Sequence, residues 1–189
     1  MCSGRPDRPE DETGRLTIVG SSTGSVHPEQ SSRKLREDLF YGPLLPDDIE
    51  KIAATLAEMD PWLTLGYASA GLMRYLSRED PALSAHVVRG EAGLAAVVCV
   101  REPWLMGPFV ELLACFDPFR GIGLGREILA CLESRLRPGT ANLWTTASSF
   151  NVQALGFYRH MGFKVVAELK DLVRVGYDEI LLRKRLTAE

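Results

Sequence analysis

The residues with the most chemical content sit in one turn. Arg120-Gly121-Ile122-Gly123-Leu124-Gly125 follows an apolar, strand-like run and precedes a helical one. Glycine lets backbone N–H groups approach an anion, and a helix starting there adds the positive end of its dipole. The chemistry such a turn supports is phosphate binding. Two common forms fail on spacing. Gly-x-Gly-x-x-Gly would need glycine at 126 or 128, where the chain has Arg126 and Ile128. A nucleoside-triphosphate loop ends in Gly-Lys-Ser/Thr, a tripeptide this chain lacks. Two readings remain: an Arg-x-x-Gly-x-Gly cradle on Arg120, Gly123 and Gly125, or a purely structural glycine turn.

Other reactive residue types are scattered. Cys2, Cys99, Cys115 and Cys131 form no Cys-x-x-Cys pair, and His27, His86 and His160 form no cluster. No metal site and no thioredoxin-like chemistry are expected. Cys115 lies between Ala114 and Phe116, with no adjacent cation or histidine to lower its pKa. It reads as a reduced, buried thiol and not as a covalent acyl carrier.

The turn must be held by the elements around it. Phe109–Phe116 reads as a buried strand leading into it, and the helix after it carries Ile128, Leu129, Leu132 and Leu136 until Pro138-Gly139. Upstream, Leu35–Leu45 reads as a strand and turn. Pro46-Asp47-Asp48 opens a helix with Ile49, Ile52, Ala53, Leu56 and Met59 on one face, ended by Asp60-Pro61. A second helix spans Ser69–Ser77. Ala85–Val88 and Leu94–Val100 form a hairpin through Arg89-Gly90-Glu91-Ala92-Gly93. Downstream come a strand at Asn142–Thr146, a helix at Asn151–Met161 with Gly162 as its C-terminal cap, and strands at Lys164–Leu169 and Glu179–Leu186. The order β-α-α-β-β-β-α-β-α-β-β predicts a mixed α/β (α+β) domain over residues 35–189. Residues 1–34 hold sixteen Gly, Ser, Thr or Pro and six apolar residues, so they read as a disordered tail.

Arg120-x-x-Gly123-x-Gly125 opening a helix resembles the GNAT superfamily of acyl-CoA-dependent N-acetyltransferases. One strand later, Asn151-Val-Gln-Ala154-Leu-Gly-Phe157-Tyr158-Arg-His-Met-Gly162-Phe163 is similar to that family's second signature. The resemblance covers residues 35–189. It implies a mostly antiparallel central sheet of six to seven strands flanked by about four helices, and acetyl-CoA as co-substrate. By resemblance, the pyrophosphate is held by Arg120, Gly121, Ile122, Gly123, Leu124, Gly125 and Arg126. Cys115 and Phe116, at the end of the strand, offer main-chain groups to the pantetheine arm, and an N–H there suits an oxyanion. Asn151, Ala154 and Phe157 border the arm. Tyr158 is the implied general acid for the departing thiolate. The family's proline three residues before the motif arginine is replaced by Asp117, with Pro118 following.

A lysine-like amine near pKa 10.4 is mostly protonated at pH 7, which costs roughly 4–5 kcal/mol in available nucleophile. Alternation puts Glu111, Leu113 and Cys115 on one strand face, so Glu111 is either a proton acceptor for the amine or a strand-end surface residue. Asp117 is a weaker candidate base. Trp62 and Tyr67 are expected as aromatic walls of the acceptor groove or as packing for the helix connector. Asp171, Asp178 and Glu179, in an expected loop at 171–178 and just after it, are candidates to attract a cationic amine. The expected activity is acetyl transfer to a primary amine of a small molecule or peptide, by direct attack in a ternary complex. The alternative is a non-catalytic acyl-CoA sensor, which would need neither Tyr158 nor Asn151. The formal charge of −3 and pI of about 5.7 argue against nucleic acid as a partner. No run of about 20 apolar residues is present for a membrane span. With no apolar secretory segment after the first residues, a cytoplasmic location is expected. A homodimer is compatible with the composition.

Overall fold

In the computed structural model, which describes residues 33–36 and 38–186, the apolar runs pair into an eight-stranded sheet. The strands are β1 (Arg33–Lys34), β2 (Leu39–Pro43), β3 (Leu83–Gly90), β4 (Gly93–Trp104), β5 (Gly107–Cys115), β6 (Asn142–Ser148), β7 (Lys164–Arg174) and β8 (Tyr177–Arg185). The helices are α1 (Pro46–Ala57), α2 (Trp62–Leu65), α3 (Ser69–Leu76), α4 (Leu124–Glu133) and α5 (Val152–His160). Spatial order is β1-β2-β3-β4-β5-β6-β8-β7. Every neighbouring pair is antiparallel except β5 with β6.

The sheet is covered on both faces. Ile52, Ala53 and Leu56 of α1 join Leu72 and Leu76 of α3 over Val87, Val97, Cys99, Leu112 and Ala114. Leu124, Ile128, Leu129 and Leu132 of α4 pack with Leu155 and Tyr158 of α5 over Val88, Val98, Val110, Leu143 and Leu182. Each fully buried Leu or Ile contributes about 1.5–3 kcal/mol by leaving water. Pro46 at the start of α1 and Asp48, whose carboxylate accepts from Leu45 N at 3.0 Å, explain why that helix begins there.

One irregularity positions the site. Cys99 pairs with Leu112 while Val100 pairs with Val110, so Glu111 is the extra residue of a bulge in β5. A bulge bends its strand and increases its twist. Parallel pairing of β5 with β6 is confined to Phe109↔Trp144 and Val110↔Thr145, at the edge of that bulge. Beyond it β5 leaves β6, while β6 stays with β8 as far as Ser148↔Glu179. A wedge opens between Leu112–Cys115 and Thr146–Ser148, and the β5 backbone edge facing it has no strand partner.

Several expected boundaries shift. The β3–β4 connection is only Glu91-Ala92, because Arg89, Gly90 and Gly93 are strand residues. The expected loop at 171–178 is mostly strand: β7 and β8 turn tightly at Val175-Gly176. Leu136 lies beyond α4, and the connector after Asp60-Pro61 contains the one-turn helix α2. The tail expected over 1–34 lies outside the described residues except for Arg33 and Lys34. Those two pair with Tyr41 and Phe40, which adds a strand to the count.

Candidate active site

On the α4–α5 side of the wedge lies a cavity of about 430 Å³. Leu113, Ala114 and Cys115 form one wall and Asn151, Ala154, Phe157 and Tyr158 another, with Arg120, Gly121, Gly123, Leu124, Gly125 and Arg126 at its end. Gly123 precedes α4 with φ +89°, a left-handed conformation that side chains rarely adopt. A Cβ on Gly125 would stand 3.2 Å from Phe157 Cζ, tighter than ordinary packing. Both glycines therefore keep backbone open at the start of α4, where N–H groups lack intrahelical partners. Among the described residues Arg120 and Arg126 make no ion pair, so both cations are available to an anion.

Arg36 braces this turn. Its Nη2 donates to the Ile122 carbonyl at 2.7 Å, and its Nε and Nη2 grip the Glu127 carboxylate at 2.7–3.1 Å. The Glu127 carboxyl is held below its usual range by Arg36. Pairing it removes a negative charge beside the expected phosphate position. Nothing in the sequence pointed to Arg36, which lies 91 residues from Glu127.

The structure does not bring all expected residues to the cavity. Phe116 is buried against α1 and α3, and its N–H donates to Ala95 O at 2.8 Å, so it is unavailable to a ligand there. The Ile122 side chain is exposed and only its carbonyl takes part, through Arg36. Leu124 lines the cavity but is mainly a core residue. Asn151 caps α5, its Oδ1 accepting from Ala154 N at 3.0 Å, which leaves the amide hydrogens for a ligand. Burial pushes the Cys115 thiol up to about 11 against the pull of Arg120, and Cys99 up to about 12. Neither is a thiolate at neutral pH.

A second cavity, about 150 Å³, lies across the wedge. Trp62, Leu65 and Tyr67 roof it; Glu111 to Leu113, Thr145 to Ser148, Val173 and Glu179 complete it. Pro61, Trp62, Leu113, Asn151, Ala154 and Tyr158 line both cavities, so the two meet at these residues. Tyr158 is buried, its ring 5.1 Å from Phe157 and 5.3 Å from Phe163 by centroids. Burial raises its phenol pKa while a hydrogen bond with Thr145 opposes the rise. It is a protonated donor at neutral pH. Thr145 Oγ1 donates to Val110 O at 3.0 Å, which fixes this neighbour of the tyrosine at the last paired residues of β5 and β6.

The carboxylates sort themselves by partner. Glu111 lines the second cavity, but Arg101 Nε donates to one of its oxygens and Tyr75 to the other at 2.9 Å. Arg101 also pairs with Asp80 at 3.0 Å. Glu111 is thus not a plain surface residue but the inner end of an ion-paired chain at the bulge. Asp171 and Asp178 serve the hairpin: Asp171 Oδ1 accepts from Gly176 N, and Asp178 binds Lys170 at 2.7 Å and the Asp171 N–H at 3.2 Å. Glu179 alone of those three lines the cavity; it is 5% exposed, with the Ser148 hydroxyl donating to Oε1. Burial raises its carboxyl pKa and Ser148 opposes the rise. Among the described residues no group of three or more His, Cys, Asp or Glu could hold a metal ion, and no helix is long and apolar enough to cross a membrane.

Comparison with known proteins bears on the family and the fold. Blasticidin-S acetyltransferase of Streptomyces morookaense is 32% identical over 83 residues, spanning 44% of this chain and 59% of that protein. The match thus covers less than two thirds of that relative. The structure of nourseothricin acetyltransferase superposes with a TM-score of 0.50 at 25% identity, over 58% of this chain and 68% of that one. The ribosomal-protein-S18-alanine N-acetyltransferase of Escherichia coli shares the fold, with a TM-score of 0.64 at 16% identity over 80% of this chain and 96% of that one. Residues 48–163, which include both the glycine turn and the Tyr158 helix, match the Acetyltransferase (GNAT) family, and the chain is a member of it.

Proposed function

We propose that this protein is an acetyl-CoA-dependent N-acetyltransferase acting on a primary amine of a small molecule, by direct attack with both substrates bound. The observation that carries the reading is Tyr158, a buried protonated phenol at the junction of two cavities. A coenzyme sensor would need the first cavity alone. The larger cavity has what the coenzyme requires: open glycine backbone and two unpaired arginines for the pyrophosphate, and an unpartnered strand edge at Leu112–Cys115 for the pantetheine amides. The N–H groups of that edge suit the charge that develops on the thioester oxygen. The acceptor cavity, at about 150 Å³, suits the amine-bearing end of a small molecule. The relatives named for blasticidin S and nourseothricin support a small-molecule acceptor.

In this scheme Arg120–Arg126 anchor the coenzyme, Trp62 and Tyr67 flank the acceptor, and Tyr158 protonates the thiolate as the C–S bond breaks. The test is free-thiol release from acetyl-CoA across a panel of blasticidin S, nourseothricin, simple alkylamines and peptide N-termini. Amine-dependent release with small molecules is expected. Coenzyme binding without release from any amine would favour the sensor, and release with peptides alone would overturn the small-molecule assignment.

A further inference from the structure

We propose that Glu179 receives the acceptor as its ammonium ion and takes the proton that must leave before attack. The inference rests on the acetyltransferase reading above. Its ground is the way the carboxylates facing the acceptor cavity are used. Glu111 comes from β5, but Arg101 and Tyr75 occupy both of its oxygens. Glu179 comes from β8, across the wedge, and is the more deeply buried of the two. Among the described residues it has no ion pair, and its hydrogen-bond partner is the neutral Ser148 hydroxyl on its register neighbour in β6. A buried carboxylate facing a cavity without a cation is costly to desolvate. An ammonium ion entering that cavity would supply the missing countercharge.

The other groups around it are compatible. Tyr67 comes from the connector after α2, and its phenol is pushed up by burial and by Glu179, so it stays neutral. Tyr158 comes from α5 and is also neutral. Ser148 comes from β6, and β7 contributes the apolar Val173. Of the cations on neighbouring elements, Arg101 of β4 is shared between Glu111 and Asp80, and Arg174 of β7 donates to Thr64 O at 3.0 Å. Burial raises the Glu179 carboxyl pKa, the direction that favours holding a proton, which supports the assignment without carrying it.

The proton count closes. The ammonium transfers one proton to the Glu179 carboxylate, and the freed nitrogen lone pair forms the C–N bond at the thioester carbon. As the C–S bond breaks, its electron pair leaves on sulfur and takes a proton from Tyr158. The nitrogen sheds a second proton, which restores the phenol, and Glu179 returns its own to solvent. The products are the N-acetyl amide, the free thiol and one released proton.

Glu179→Gln keeps the size of the side chain and an oxygen for Ser148. With n-butylamine and blasticidin S as acceptors, kcat/KM at pH 7 is expected to fall by roughly 10²–10³. The loss should shrink as pH rises and the amine deprotonates by itself, while acetyl-CoA affinity by calorimetry stays unchanged. Ser148→Ala removes the donor that favours the carboxylate, so the acid limb of the kcat/KM profile should move to higher pH. A Glu179→Gln enzyme matching the wild type from pH 6 to 9 would overturn the assignment and leave the acetyltransferase reading intact. If Glu179→Gln fails to fold, a Ser148→Ala profile with an unmoved acid limb overturns it equally. A wild type that binds acetyl-CoA but acetylates no amine would instead remove both.

Discussion

On the proposed coenzyme side of the wedge, the end expected to bind the pyrophosphate is contiguous: residues 120–126 turn once and enter α4. On the acceptor side, the cavity gathers side chains from the α2 connector, β5, β6, α5, β7 and β8. The two sides also differ in charge. Arg120 and Arg126 face the first cavity, and Glu179 faces the second. The lesson is that the part of the site proposed for the co-substrate is a local motif, whereas the part proposed for the acceptor is a tertiary assembly. Tyr158, on the shared wall, belongs to both.

The sharpest way to break this division is at the shared wall. Tyr158→Phe removes a hydroxyl but leaves the ring packed between Phe157 and Phe163, and Thr145 keeps its bond to Val110 O. Turnover is expected to fall by about 10²–10⁴ with acetyl-CoA affinity intact, read by steady-state kinetics beside calorimetry. A loss of affinity in step with turnover would make Tyr158 a coenzyme-side residue only. Next in size is Gly123→Val. A β-branched residue at φ +89° costs at least about 1–2 kcal/mol, and the turn would distort to escape it. Acetyl-CoA affinity should weaken at least tenfold, and the melting temperature should fall by roughly 2–8 °C.

Arg36→Ala leaves Glu127 unpaired beside the phosphate position and frees the Ile122 carbonyl. A drop of about tenfold in acetyl-CoA affinity is expected, larger at low salt, because a charge-assisted contact and a screening partner are lost together. The smallest effect on chemistry belongs to Glu111→Gln. Arg101 keeps Asp80, so the chain at the bulge loosens without collapsing. The melting temperature should fall by a few degrees, while the acid limb of the pH profile stays where the wild type has it. If that limb moves instead, Glu111 takes the amine proton and the contrast between the two carboxylates fails.

Most elements of the sheet and its helices were legible because each announces itself over a few residues. Apolar alternation marks strands, helical spacing marks α1 and α4, and Asn151 and Gly162 bound α5. The departures come from pairing. Arg33 and Lys34 are strand only because β2 lies beside them, and residues 170–174 carry β7 past Leu169, where the expected strand ends, by pairing toward β8. Phe116 was expected among the coenzyme contacts because it ends the right strand, but its N–H is taken by Ala95. A hydrogen-bond partner on a neighbouring strand has no trace in the local sequence.

By itself the sequence determined the family signature, the glycine turn and the place of Tyr158 within its own helix. These need only consecutive residues or one helical turn, since backbone N–H direction and i, i+3 or i+4 spacing are local geometry. Only the tertiary structure decided which carboxylate lining the second cavity has no ion pair among the described residues. Glu111, Asp171, Asp178 and Glu179 are chemically near-equivalent as written. They part company because Arg101, Lys170, the hairpin backbone and the Ser148 hydroxyl reach them through the sheet. The charge state and reach of a carboxylate depend on its desolvation and its neighbours, and both are supplied by residues distant in the chain.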